Sequence, residues 1–135
     1  KYMRLESPFT EVKKSQQTVY KAVNDVARYK EFMPDAVGSF RTGEDFGMPW
    51  FAFTIGGMPE IKLVRDTAEP YSKVSFSTPM GAKISLAVEI KYVTDDISSV
   101  KVSIDADVNP MLRMMVERPL KKFLGDVSDK IRMVE

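Results

Sequence analysis

The chain contains no histidine and no cysteine. That removes the side chain most used for proton transfer near neutral pH, the commonest metal ligand, and every thiol nucleophile, thiolate site and disulfide. Arginine, tyrosine, lysine and carboxylates remain. Arg65 stands out among them. It alternates with Ile61 and Leu63, so it shares the inward face of their strand. An inward arginine needs a partner. In a pocket it would hold the carboxylate or phosphate head of a ligand. The competing reading sets it at the rim of the strand, paired with Asp or Glu. Tyr71 and Tyr92 could donate to a ligand carbonyl, or be rim tyrosines with wet hydroxyls. Asp105 and Asp107 resemble a carboxylate pair, but alternation places them opposite Ile104 and Ala106, on a solvated face with Lys101 and Glu89. Asp95-Asp96 and Gly56-Gly57 read as turn chemistry. No phosphate-binding glycine loop, nucleophile elbow or metal-ligand cluster is present.

Apolar residues carry more of the information. The chain has nine methionines and eight phenylalanines, a soft interior that adapts to irregular shapes. Phe32, Met33, Phe51, Phe53, Phe76, Met80, Met115 and Phe123, with Leu86, are candidates to line a ligand pocket. The plainer reading makes each of them core packing, the default for buried apolar groups. Met111 and Met114 fall off the main apolar stripe of the last helix and face a pocket mouth, a partner or solvent.

The elements that would position these side chains follow from periodicity. Residues 2–12 alternate as a strand. Ser15 caps a helix carrying Val19, Tyr20, Val23 and Val26. A second short helix over 27–32 stops before Pro34. A strand is expected over 35–42, a turn over 43–49, and a strand over 50–55. The chain then turns at Gly56-Gly57-Met58-Pro59, Glu69-Pro70-Tyr71, Pro79-Met80-Gly81 and residues 94–98. Between these turns run strands bearing Ile61 and Leu63, then Val74 and Phe76, then Ile84 to Tyr92, then Val100 to Val108. Short turns between successive strands imply an antiparallel sheet. From Asn109 a helix of about 25 residues runs to Val134, more than twice the usual length. Leu112, Val116, Leu120, Phe123, Val127, Ile131 and Val134 form its apolar stripe. Asn109 caps it, Pro110 suits its first turn, and Pro119 should kink it. Lys121, Lys122, Lys130 and Arg132 give it a basic edge that partly answers its C-terminal dipole.

Length and composition set the frame. At 135 residues, 44% hydrophobic and 29% charged, residues 1–135 are expected to form a single domain. A net charge of +1 offers no strong field for nucleic acid. No apolar run is long enough for a stable membrane insertion. No signal-peptide core is visible near the N-terminus, so a cytoplasmic protein is expected, although a chain starting at Lys leaves a trimmed leader open.

The order of strand, two short helices, about six strands and a long helix resembles the helix-grip superfamily known as START-like or SRPBCC. So do three local pieces: Ser15 to Pro34 with Tyr29, Phe32, Met33 and Pro34; the Glu69-Pro70-Tyr71 turn; and Ala106-Asp107-Val108-Asn109-Pro110-Met111 leading into the last helix. Pollen-allergen proteins, lipid-transfer domains and polyketide cyclase/dehydrase-like proteins belong to this superfamily, and the chain looks most like its small bacterial members. The resemblance implies an α+β helix-grip fold, with a curved antiparallel sheet of about seven strands and a long C-terminal helix across its concave face. It also implies an apolar pocket between them. Fold does not fix function. The leading expectation is binding of a lipid, isoprenoid or polyketide-like molecule, without catalytic residues, metal or cofactor. One alternative is a cyclase/aromatase-like enzyme using Arg65, tyrosine or a carboxylate. Another is a protein-interaction or homodimer surface built on Met111, Met114 and Trp50.

Overall fold

A computed structural model describes residues 2–56, 58–79 and 83–134. Two short strands open the chain, β1 (Tyr2–Glu6) and β2 (Thr10–Val12). The continuous strand expected over 2–12 is interrupted because Ser7 and Pro8 leave the ladder. Ser7 still anchors the break: its N–H donates to the Val102 carbonyl at 2.8 Å, and its Oγ accepts from the Val102 N–H at 3.0 Å. Helix α1 (Gln16–Asn24) follows, with Ser15 Oγ accepting from the Thr18 N–H at 3.1 Å. The second helix of the sequence reading is a 3-10 turn (Val26–Arg28) running into α2 (Tyr29–Phe32).

Six strands then form a meander: β3 (Val37–Asp45), β4 (Met48–Ile55), β5 (Ile61–Glu69), β6 (Lys73–Ser77), β7 (Lys83–Thr94) and β8 (Ile97–Asp107). All pairs are antiparallel, in the order β1-β8-β7-β6-β5-β4-β3, with β2 also paired to β8. The sheet has eight strands among the described residues, in keeping with the expected sheet of about seven. The turn expected over 43–49 is only Phe46-Gly47, with φ of 52° and 81°. Both neighbours extend the strands, so Gly43 lies opposite Trp50 in the ladder. That glycine is required there: an added Cβ would fall 2.4 Å from Trp50 Cζ2. The later turn likewise narrows to Asp95-Asp96, and Ser98 is buried within β8.

Helix α3 (Pro110–Arg132) runs through Pro119 and is capped by Asn109, whose Oδ1 accepts from the Leu112 N–H at 2.8 Å. Its buried side chains Val116, Leu120, Phe123, Leu124, Val127 and Ile131 close against the inner face of the sheet. Tyr29 organises the aromatic centre. Its ring stacks on Phe51 at 4.5 Å and meets Phe76 edge-on at 5.2 Å. Its hydroxyl donates to the Val23 carbonyl at 2.7 Å, so its one polar atom is satisfied, and full burial pushes the phenol's pKa up. Phe53 in turn stacks on Phe123 at 5.0 Å, tying α3 to the middle of the sheet. This is an α+β helix-grip architecture, with the long helix held across a curved antiparallel sheet.

Candidate functional site

The aromatic packing fills the middle of the space between helix and sheet but not its end. Where β4 ends and β5 begins, where β6 passes into β7, and where β8 runs into α3, a cavity of about 680 Å³ opens. Ile55, Met58 and Ile61 line it from the β4–β5 side, and Ile84 and Val108 from β7 and the end of β8. The first three turns of α3 close it with Leu112, Met115, Val116 and Pro119. Proline has no N–H, so the Met115 carbonyl lacks its intrahelical donor at this wall.

Three polar side chains among the described lining residues are already engaged. Glu60 accepts two hydrogen bonds from Arg41, at 2.9 and 2.7 Å, and Arg41 holds the Glu60 carboxyl below the usual range. Lys62 donates to Asp45, and its ammonium lies 4.5 Å from the centre of the Trp50 ring. That hydrogen bond depresses the Asp45 carboxyl against an opposing desolvation. Thr78 Oγ1 accepts from the Ile84 N–H at 3.1 Å. The wall therefore presents hydrocarbon and thioether, with its charges drawn aside to the β3–β4–β5 edge.

The residues singled out from sequence separate into three groups. Met115 lines the cavity. Phe32, Met33, Phe51, Phe53, Phe76, Leu86 and Phe123 are buried in the core behind it and do not line it. Met80 lies outside the described residues. Arg65 is half-buried away from the cavity, donating to Asn24 Oδ1 at 2.8 Å, so its partner is an amide of α1 rather than the carboxylate expected for a rim position. Tyr92 is exposed and donates to Asp95 at 2.8 Å. Tyr71 packs edge-on against Tyr20. Asp105 accepts from Arg4 at 2.9 Å on the outer face. Trp50 is 8% exposed and flanked by Arg41 and Lys62, so it does not join Met111 and Met114 in one patch.

Sequence reasoning placed Ile61, Ile84, Leu112 and Val116 on inward faces but did not single them out as a wall. The signal that could have found them is position. They sit at strand ends and in the first helical turns, where a gripped helix parts from its sheet. No group of His, Cys, Asp and Glu among the described residues is arranged to hold a metal ion, and no described helix is long and apolar enough to cross a membrane.

Comparison with known proteins agrees with this architecture. Truncated norcoclaurine synthase from Thalictrum flavum superposes with a TM-score of 0.71 at 17% identity, covering 98% of this chain and 91% of that one. The Zhui aromatase/cyclase from Streptomyces sp. gives a TM-score of 0.71 at 15% identity, with 100% and 97% covered. A START superfamily protein from Mycobacterium smegmatis gives 0.68 at 13%, with 99% of each chain covered. At such identities the likeness establishes the fold. No curated protein sequence matches the chain. A family match extends over residues 12–132, nearly every element from β2 to the end of α3, and by it the chain belongs to the family described as polyketide cyclase/dehydrase and lipid transport.

Proposed function

We propose that the protein is a carrier or binder of a hydrophobic small molecule of lipid, isoprenoid or polyketide type. The ligand is held in the cavity between the first turns of α3 and the β4–β5 and β6–β7 end of the sheet, and residues 1–135 act as one cytoplasmic domain. The observation that carries this reading is the cavity itself. Its volume of about 680 Å³ falls within the usual 300–1,000 Å³ of small-molecule sites, and its wall offers almost only apolar contact. Met115 and Leu112 touch the ligand in this reading, while Phe51, Phe53 and Phe76 hold the floor rigid from behind. Family membership supports hydrophobic ligand binding in general.

A cyclase would need an acid or base able to reach the reacting atoms. Among the described lining residues Glu60 is clamped by Arg41, Lys62 by Asp45, and Thr78 accepts a backbone hydrogen bond. Binding without chemistry is the better match to such a wall.

Native mass spectrometry of protein purified from its native host tests the proposal. The expected result is a stoichiometric apolar adduct, released on denaturation and lost in Ile84→Trp, which projects a larger ring into the cavity. A clean unliganded mass, with no thermal shift across panels of lipids and polyketide-like compounds, would overturn it.

A further inference from the structure

The outward face of α3 is built differently along its length. Helical spacing sets Met111, Met114, Met115, Arg118, Lys121 and Lys122 on one side, opposite the buried stripe of Val116, Leu120, Phe123 and Val127. The three methionines are 76%, 84% and 68% exposed. Three adjacent thioether side chains in water are a cost that neither the core nor a helix cap accounts for. Met115 also lines the cavity, so the exposed patch and the cavity wall are continuous.

The cations follow directly behind the methionines. Residues 110–122 contain Arg113, Arg118, Lys121 and Lys122 against the single carboxylate Glu117. Arg113 uses that carboxylate, at 3.1 Å, on the flank of the helix. Lys122 reaches Asp126 at 3.1 Å. Arg118 and Lys121 form no ion pair among the described residues. A near-neutral protein thus concentrates positive charge beside its most exposed apolar surface. That is the pattern of a helix lying in a lipid interface, apolar groups at the acyl boundary and basic groups among anionic headgroups.

We propose that the N-terminal half of α3 docks the cavity mouth onto an anionic membrane surface, peripherally and reversibly. The occupant is lipid rather than a second copy, because Arg118 and Lys121 on two copies would face one another. This goes beyond the cavity reading and does not depend on it, since docking rests on the surface alone.

Co-sedimentation of the whole chain with ligand-free vesicles tests it. Vesicles of phosphatidylcholine alone are compared with phosphatidylcholine containing phosphatidylglycerol. Pelleting is expected only with the anionic vesicles, and should fall as salt is raised. Arg118→Gln and Lys121→Gln should each weaken binding about fivefold. Met111→Ser with Met114→Ser should weaken it at least as much, with an unchanged thermal melt because both side chains are exposed. Absence of binding to anionic vesicles at low salt overturns the proposal. So does binding indifferent to these substitutions, or a stable dimer that the methionine substitutions dissociate. Ligand binding measured without vesicles is read separately, so loss of docking leaves the cavity reading standing, and the reverse.

Discussion

Two residues at the β3–β4 edge show how backbone geometry and side-chain identity can disagree. Phe46 occupies a left-handed position, φ 52°, at the tip of a two-residue hairpin, and its side chain is fully exposed. Such turns favour Asn-Gly, because only short or absent side chains adopt positive φ cheaply. Phe46→Asn is therefore expected to stabilise the protein by about 1 kcal/mol, raising Tm by about 3 °C. No packing is given up in exchange. A lower Tm in a thermal melt would mean that the ring does something in the folded state. Gly43 is the converse. Its missing side chain is where the Trp50 ring lies, so Gly43→Ala must displace that ring from between Arg41 and Lys62. A loss of about 1–3 kcal/mol is expected in urea unfolding, with a red shift of the native emission, since Trp50 is the one tryptophan. A variant with unchanged emission and stability would show that the close approach is unimportant.

At the scale of elements, the edge formed by β3, β4 and β5 carries two solvated ion pairs, Arg41–Glu60 and Lys62–Asp45, beside its buried core residues. Asp45 and Glu60 both have carboxyls lowered in the fold, from ordinary values of 3.8 and 4.5. A carboxyl lowered on folding contributes stability above its unfolded pKa and loses it as pH falls through the folded one. The edge should therefore weaken below about pH 4.5 and not on the alkaline side, by a small amount because both pairs are solvated. Thermal melts followed through Trp50 emission should show Tm falling over that acid range. The slope should be shallower in Asp45→Asn combined with Glu60→Gln, and an identical slope would remove these pairs as its source. The same edge marks the limit of what periodicity could reveal. Gly43 and Pro49 punctuate the chain as a turn would, but the ladder with β4, in which the Trp50 ring covers Gly43, makes a strand of that stretch. Where signals were redundant the elements were legible. Ser15 and Asn109 cap their helices, alternation from Ile84 to Ile90 and from Val100 to Ala106 marks the paired long strands, and the stripe from Leu112 to Ile131 marks α3.

For the molecule as a whole, core and cavity use the same side-chain types, and that is why the site was less legible than the fold. Phe51 and Ile84 both read as inward apolar residues. What separates them is the distance between α3 and the sheet, which closes over the stacked rings of Tyr29, Phe51, Phe53 and Phe123 and opens beyond them. The distinction is measurable because the two environments respond oppositely to a change of volume. Phe51→Leu shrinks a fully buried ring that stacks on Tyr29, Phe40 and Phe53, so a loss of about 1–3 kcal/mol is expected. The folded variant should keep its affinity for a fluorescent fatty acid within about twofold, because no lining atom changes. Ile84→Trp enlarges a side chain that faces empty space, so the usual overpacking penalty does not apply. Its Tm should stay within a few degrees of the parent while affinity falls by more than tenfold, since the ring takes up the volume a ligand chain would occupy. Urea unfolding and fluorescence titration on the two variants give four numbers that decide the matter. If Ile84→Trp binds as the parent does and Phe51→Leu does not, the ligand lies among the core aromatics, and the opening beside Met115 is an entrance rather than the site.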